Sequence, residues 1–208
     1  MSLRESLLCL LTARPMTGYD LAKQFDVSVG HLWQAPHSQI YPELRRLEED
    51  GLVQATDVPR GRAVKRAYSI TDAGRAEVAR WVVEIAPSSR VREADYVKAA
   101  FLEFATPQQA RAQFRALHDH YRATHASYEA HLRDLEAAGT ALMQTRLEAA
   151  APEDHDAIVA FKTHVFRGLA QRAAMQAIWA EEGVALVDHL ERRRATAEAR
   201  RAGEPTGI

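Results

Sequence analysis

The chain has few of the residues that most often carry chemistry. Its 208 residues include one cysteine, Cys9, which excludes an intrachain disulfide and a cysteine-rich zinc site. Cys9 lies in the apolar run 7–11, where a small buried hydrophobe is the ordinary reading. Long hydrophobic runs are also missing. That first run spans about five residues behind Glu5, too short for a secretory signal, and no stretch approaches the roughly 20 apolar residues of a membrane span. A cytoplasmic protein without membrane contact is expected. Neither sign of charge is in surplus: Lys and Arg number 27 against 28 Asp and Glu. Cut after residue 86, the two parts are just as even, 11 against 11 and 16 against 17. Binding to a polyanion therefore requires a local basic patch. Enzyme signatures are missing as well, with no glycine-rich phosphate loop, His-Glu-x-x-His or serine elbow. The carboxylate pairs Glu48-Glu49 and Glu181-Glu182 sit on charged helical stretches. No enzyme activity, metal or cofactor is expected.

What is present is a sequence of start and stop signals. Ser2-Leu3-Arg4-Glu5 reads as a capping box opening a helix with Leu3, Leu7, Leu10 and Leu11 at helical spacing. Arg14-Pro15 ends it, and Thr17-Gly18-Tyr19-Asp20 starts a second helix with Leu21, Ala22 and Phe25 as its buried stripe. A third helix is predicted over residues 38–49. Pro42 lacks an amide and is comfortable only in a first turn, which places the start near Ser38. Ile40, Leu44 and Leu47 mark its inward face, and Gly51 follows where a left-handed cap fits. The period then shortens to two. Residues 52–55 and 64–70 predict two strands joined across Val58-Pro59-Arg60-Gly61-Arg62, a hairpin with a basic tip. Thr71-Asp72 caps a fourth helix carrying Ala73, Val78, Trp81 and Val82.

Residues 86–89, Ala-Pro-Ser-Ser, form the best domain boundary, dividing the chain into 1–86 and 87–208. Everything beyond it reads as helical: one helix over 92–103, a second opened by Thr106-Pro107-Gln108-Gln109 and broken near Gly139, and a third restarting at 151–154 and running to about residue 194. The fold class expected is mainly α: an N-terminal winged helix-turn-helix of three helices, a two-stranded wing and a fourth helix, followed by an all-helical C-terminal domain.

An isolated helix fits the major groove of B-form DNA with its first turns at the base edges. Ser38, Gln39, Tyr41 and Arg45 occupy those turns. The hairpin adds Arg60, Arg62, Lys65 and Arg66 within seven residues, a cluster able to meet the backbone or the minor groove. Taken alone, such residues form ordinary solvated surfaces; the order of elements favours DNA. The segment Gly18-Tyr19-Asp20-Leu21, followed by HSQIYPELRRLEEDGLV and YSITDAGRAEVARWV, resembles the PadR family of transcriptional regulators over about residues 2–86. The helical remainder resembles, in pattern and length, the C-terminal region of the branch that includes virulence-gene activators. The resemblance implies a homodimer on an inverted-repeat operator, acting mostly as a repressor and in some members responding to small aromatic ligands. By position, it implies DNA contacts from the eight residues just named. The same fold acting as an activator is the nearest alternative. A helical interaction scaffold that binds no DNA is an alternative of a different class.

Two stripes in the C-terminal region remain. Ile158, Phe161, Val165, Leu169, Trp179, Leu186 and Leu190 recur at steps that suit a helix and are assigned to dimerisation, with packing inside the chain as the alternative. His118, Tyr121, His125 and Tyr128 line one face of the helix after Thr106. A polar–aromatic packing seam is the first reading, and with Trp33 an effector pocket is the second. His118 and His125 stand about two turns, some 10 Å, apart and cannot chelate one metal unaided.

Overall fold

A computed structural model describes residues 3–27, 36–60, 63–85 and 93–203. The chain divides into two compact units: Met1–Ser88 with Ala141–Glu153, and Ser89–Thr140 with Asp154–Ile208.

In the first unit the leucine-rich start forms α1 (Leu3–Leu11), followed by β1 (Met16–Thr17) and α2 (Gly18–Val27). Thr17 caps α2 as expected, its hydroxyl accepting from the Asp20 amide at 3.2 Å and donating to the Asp20 carboxylate at 2.7 Å. Then come α3 (His37–Glu49), β2 (Val53–Arg60), β3 (Ala63–Ile70) and α4 (Asp72–Val83). Leu7, Leu8, Leu21, Phe25, Ile40, Leu44 and Leu47 are shielded from solvent in one core. Burial of large aliphatic faces on three helices is what holds so small a unit together.

Three details differ from the sequence reading. The sheet has three antiparallel strands in the order β1-β3-β2, with Met16 opposite Tyr68 and Thr17 opposite Ala67. A two-residue strand has no period to detect. The helix α3 starts at His37 behind Pro36, one residue early, and so carries Pro42 inside it without a donor for the Ser38 carbonyl. On α4, Val78 packs on the core while Val82 is exposed, and the buried Gly74 marks the helix's close approach to Leu52 and Ile70.

The first unit also includes α7 (Ala141–Glu148), a segment that the boundary at residue 86 assigns to the C-terminal domain. Leu142 packs on the core of α1, α2 and α3, and Met143 is buried. Arg146 Nη2 donates to the Cys9 carbonyl at 2.9 Å. Burial pulls the Arg146 guanidinium's pKa down, opposed by the neighbouring Cys9. Cys9 itself is half-buried and in no disulfide. Met143→Ala is therefore expected to destabilise this unit by about 2–3 kcal/mol. Faster hydrogen exchange in residues 3–11 would register that loss, and unchanged exchange would show that α7 contributes nothing to the unit.

The second unit is built on α6 (Pro107–Glu136) and α8 (His155–Gly203), with α5 (Ala94–Ala99) at its start. The expected single helix over 92–103 is shorter, stopping at Ala99 before a 3-10 turn at Leu102–Phe104. Thr106 and Gln109 form the predicted capping box on α6. The break near Gly139 is present, with Ala138 in the left-handed region at φ 49°. Along α8 the buried face is Thr163, Phe166, Ala170, Ala173, Ala177, Ala180 and Val187. With the buried Gly183, these residues follow the three- and four-residue steps of a coiled-coil seam. Ala110, Phe114, Leu117 and Tyr121 supply the facing side from α6. At Gly183 the approach is so close that a Cβ would stand 2.4 Å from the Phe114 ring. Arg111 closes the end of the seam by bonding both Asp188 and Glu191, and those hydrogen bonds raise its already high pKa.

Candidate nucleic-acid interface

With Ile40, Leu44 and Leu47 turned inward, helical geometry sends Ser38, Gln39, Tyr41 and Arg45 outward. All four are exposed. Arg45 makes no ion pair among the described residues, whereas Arg46 pairs with Glu43 at 3.2 Å. Three acidic residues of α3 and its cap are each answered by an arginine. Arg4 lies 3.8 Å from Glu43 and 2.8 Å from Asp50, and Arg66 meets Glu48 at 2.7 Å. Glu43, Glu48 and Asp50 are thus tied down within the unit, while Arg45 stands among neutral polar groups on the exposed face of the first turns. Two further side chains lie there, inside the quoted motifs but outside the candidate contacts. His37 Nε2 is 2.9 Å from Asp26, joining the start of α3 to the end of α2. Tyr19, at the start of α2, is exposed and has the Lys65 ammonium 5.6 Å from its ring centroid. Neither stands in a periodic pattern, so no spacing signal picks them out.

Tyr41 has a second role. Its ring lies over Gly18, where a Cβ would be only 2.6 Å from Cε1. The absence of a side chain at Gly18 is what lets the second and third helices approach there.

The hairpin is longer than expected, with β2 and β3 in register from Val53 opposite Ile70 to Arg60 opposite Ala63. Of its four basic residues, Lys65 and Arg66 are placed on β3. Arg60 closes β2, and Arg62 lies outside the described residues.

In the second unit, the stripe assigned to pairing divides. Phe161, Val165, Leu186 and Leu190 are exposed, together with Met175 and Ile178, while Ile158 and Leu169 are half-buried. Trp179 is engaged within its own unit, 4.2 Å from the Tyr96 ring and edge-on to Phe114 at 5.7 Å. Four of the residues considered for an effector pocket lie on α6, each with a neighbour of its own. Tyr121 is buried in the seam and donates to Asp95 at 2.7 Å. Its burial, and then that bond, push the phenol's pKa well up. Tyr128 meets Phe166 edge-on, His118 lies 3.2 Å from Asp119, and His125 is 3.9 Å from Glu129. Trp33 lies outside the described residues. Among the described residues, no group of three or more His, Cys, Asp and Glu is placed to hold a metal. No described helix is long and apolar enough to cross a membrane.

The architecture defines the class: a winged helix-turn-helix with a long helical C-terminal region, the form of a transcriptional regulator. Residues 7–80 match the profile of the Transcriptional regulator PadR-like family, and that stretch of the chain is PadR-like. It is 46% identical over 85 residues to "Probable transcriptional regulator Rv1176c" of Mycobacterium tuberculosis, covering 40% of this chain and 45% of that one. To the negative transcriptional regulator PadR of Bacillus subtilis it is 32% identical over 115 residues, covering 54% of this chain and 63% of that one. The matched stretches thus span less than two thirds of either curated relative. Similarity to solved structures extends further. The crystal structure of Bacillus subtilis PadR with operator DNA is matched at a TM-score of 0.71 and 25% identity, over 89% of this chain and 98% of that one. The Vibrio cholerae virulence activator AphA is matched at 0.64 and 26%, over 91% and 99%. These relatives are regulators of transcription, not enzymes.

Proposed function

We propose that the protein is a homodimeric repressor that binds an inverted-repeat operator in duplex DNA and is released by a small aromatic ligand. The observation that carries the DNA reading is the face of α3 with Ser38, Gln39, Tyr41 and Arg45 exposed, beside a hairpin whose tip sequence is basic. Residues 1–86, with α7 attached, are its DNA-binding part. The rest of 87–208 pairs the subunits through the exposed apolar residues of α8, and the protein works in the cytoplasm. Repression is the sign favoured by the 32% identity to the negative regulator PadR. The similarity to AphA supports activation as a second reading. An operator overlapping the promoter fits repression, and one upstream of it fits activation. Support for an aromatic ligand comes from Bacillus subtilis PadR, whose structure is also solved with p-coumaric acid.

The test is footprinting on the region upstream of the protein's own operon, at two salt concentrations. An inverted repeat should be protected, with affinity falling steeply as salt rises, because phosphate contacts release counterions. Arg45→Ala should weaken operator binding by about 10- to 100-fold, the range of one good base or phosphate-anchoring contact. The double change Arg60→Ala with Arg62→Ala should weaken binding to all sequences and flatten the salt dependence. Wild-type protein that protects no sequence would favour the scaffold alternative. p-Coumarate added to the same assay should release the operator; undisturbed protection would remove the ligand from the proposal.

A further inference from the structure

The resemblance of the hairpin to a DNA-contacting wing assigns Arg66 a phosphate or groove contact, but its surroundings indicate a different task. Its Nη2 donates to Glu48 Oε1 of α3 at 2.7 Å, a short charge-assisted bond. The guanidinium also lies 5.9 Å from the ring centroid of Tyr68, a core residue only 5% exposed. Across the hairpin, Asp57 is its register partner, and directly opposed residues on antiparallel strands share a face of the sheet. The cation is thus set among one bonded carboxylate, an aromatic ring and a second acidic residue. That setting cancels the positive field a phosphate would need.

The position of the pair matters more than its strength. The hairpin leaves α3 at Gly51, which adopts φ +70°. Its base is fixed by the Leu52 amide donating to Leu47, and by Thr71 bonding through its amide to the Leu52 carbonyl and through its hydroxyl to the Gly51 carbonyl. On its other edge β3 pairs with β1 as far as Ala67, opposite Thr17; beyond that residue the ribbon has only two strands, and nothing in this pairing ties it to α3. Arg66 lies four residues along β3 from Ile70, which pairs with Val53 at that base, a separation of about 13 Å. The bond to Glu48 ties the hairpin to α3 one residue beyond the last pair with β1, and with the base it fixes the angle between the ribbon and that helix.

The geometry points to Arg66 and Glu48 as a brace that sets the angle of the wing to the recognition helix, with Arg66 acting on DNA binding as a positioning residue and not as a phosphate contact. This rests on the DNA-binding reading above, and the experiment separates the two. The full chain is compared with Glu48→Gln, Arg66→Gln and the charge-conserving exchange Glu48→Arg with Arg66→Glu. Both side chains are partly exposed, so all of these variants should fold. Hydrogen exchange of residues 53–60 and 63–70 is followed in the free protein, and affinity and salt slope are measured on a duplex from its own upstream region.

Each single change should speed hairpin exchange and weaken specific binding, by about 5- to 20-fold for a coupled pair, with the salt slope unchanged. The exchange of charges should bring both readouts back to within about threefold of wild type, since the pair is rebuilt in reverse. The sign for Glu48→Gln is the sharpest point. Removing a negative charge near DNA strengthens binding if Arg66 is thereby freed for a phosphate, and weakens it if a brace is lost. Tighter binding by Glu48→Gln, or a slope reduced by about one in Arg66→Gln, overturns the proposal. So does hairpin exchange that none of the variants alters. If the wild-type chain binds no duplex, the functional reading fails while the exchange data still decide the brace.

Discussion

Gly74→Ala is expected to destabilise the first unit by about 3 kcal/mol or more, the upper end of the cost of forcing atoms into a packed site. On an exposed helix the same change is favourable by up to about 1 kcal/mol, because alanine is the better helix former. The sign reverses here because a Cβ at Gly74 would stand 2.2 Å from the Leu52 carbonyl oxygen and 2.7 Å from Ile70 Cγ1. A side chain could rotate away, but the Leu52 carbonyl is held by the Thr71 amide at 3.1 Å. The Gly74 amide in turn bonds the Thr71 hydroxyl at 3.1 Å, and that hydroxyl donates to Gly51. Moving any of these disturbs the end of the recognition helix, the base of the wing and the cap of α4 together. Since whole domains are stable by only about 5–15 kcal/mol, urea denaturation should show a much earlier midpoint, with operator binding lost in parallel. A variant as stable as the wild type would mean that α4 does not lie this close to the sheet.

The second large effect concerns assembly. Leu186→Asp with Leu190→Asp is expected to convert the proposed dimer to monomers and to weaken operator binding at least about 100-fold. Specific dimeric regulators bind in the range of about 10⁻⁸ to 10⁻¹¹ M, against about 10⁻⁴ to 10⁻⁶ M for non-specific contact. A monomer presents one recognition helix where a dimer places two about 34 Å apart on one face of the duplex. Both leucines are more than half exposed, at 54% and 53%, so aspartate there costs the isolated subunit little beyond helix propensity, under about 1 kcal/mol. Sedimentation shows the subunit count, and circular dichroism shows that α8 is intact. Double-variant protein that still sediments as a dimer would move the pairing surface elsewhere, with Val97, Phe101 and Phe104, also exposed, the next place to look.

The winged helix-turn-helix is legible in the amino-acid sequence. Ile40, Leu44 and Leu47 announce the inward face of α3 because large aliphatic residues at helical spacing can be buried on one side only, and that fixes which residues remain outside for DNA. Thr17, Thr71 and Thr106 announce their helix starts because an unpaired amide at a helix end needs an oxygen nearby. Each of these signals is local, carried by residues within one or two turns of each other.

What only the tertiary structure decided depends on partners distant in sequence. The apolar content of α8 draws attention to its large residues, yet the face it buries against α6 is mostly alanine. Small side chains carry little hydrophobic signal, but they let two helices come close enough for Phe114 and Tyr121 to fill the space between. Trp179, which by spacing belongs to the pairing stripe, finds Tyr96 and Phe114 in its own unit. The segment at α7 returns to the first unit because Leu142 and Met143 find burial there, more than fifty residues past the boundary that composition suggests. Lys65 and Arg66 are adjacent cations in the sequence; the fold sends one to Tyr19 on α2 and the other to Glu48 on α3. Periodicity shows which side of an element is buried, whereas the identity of what covers it is set by packing between segments that no local pattern connects.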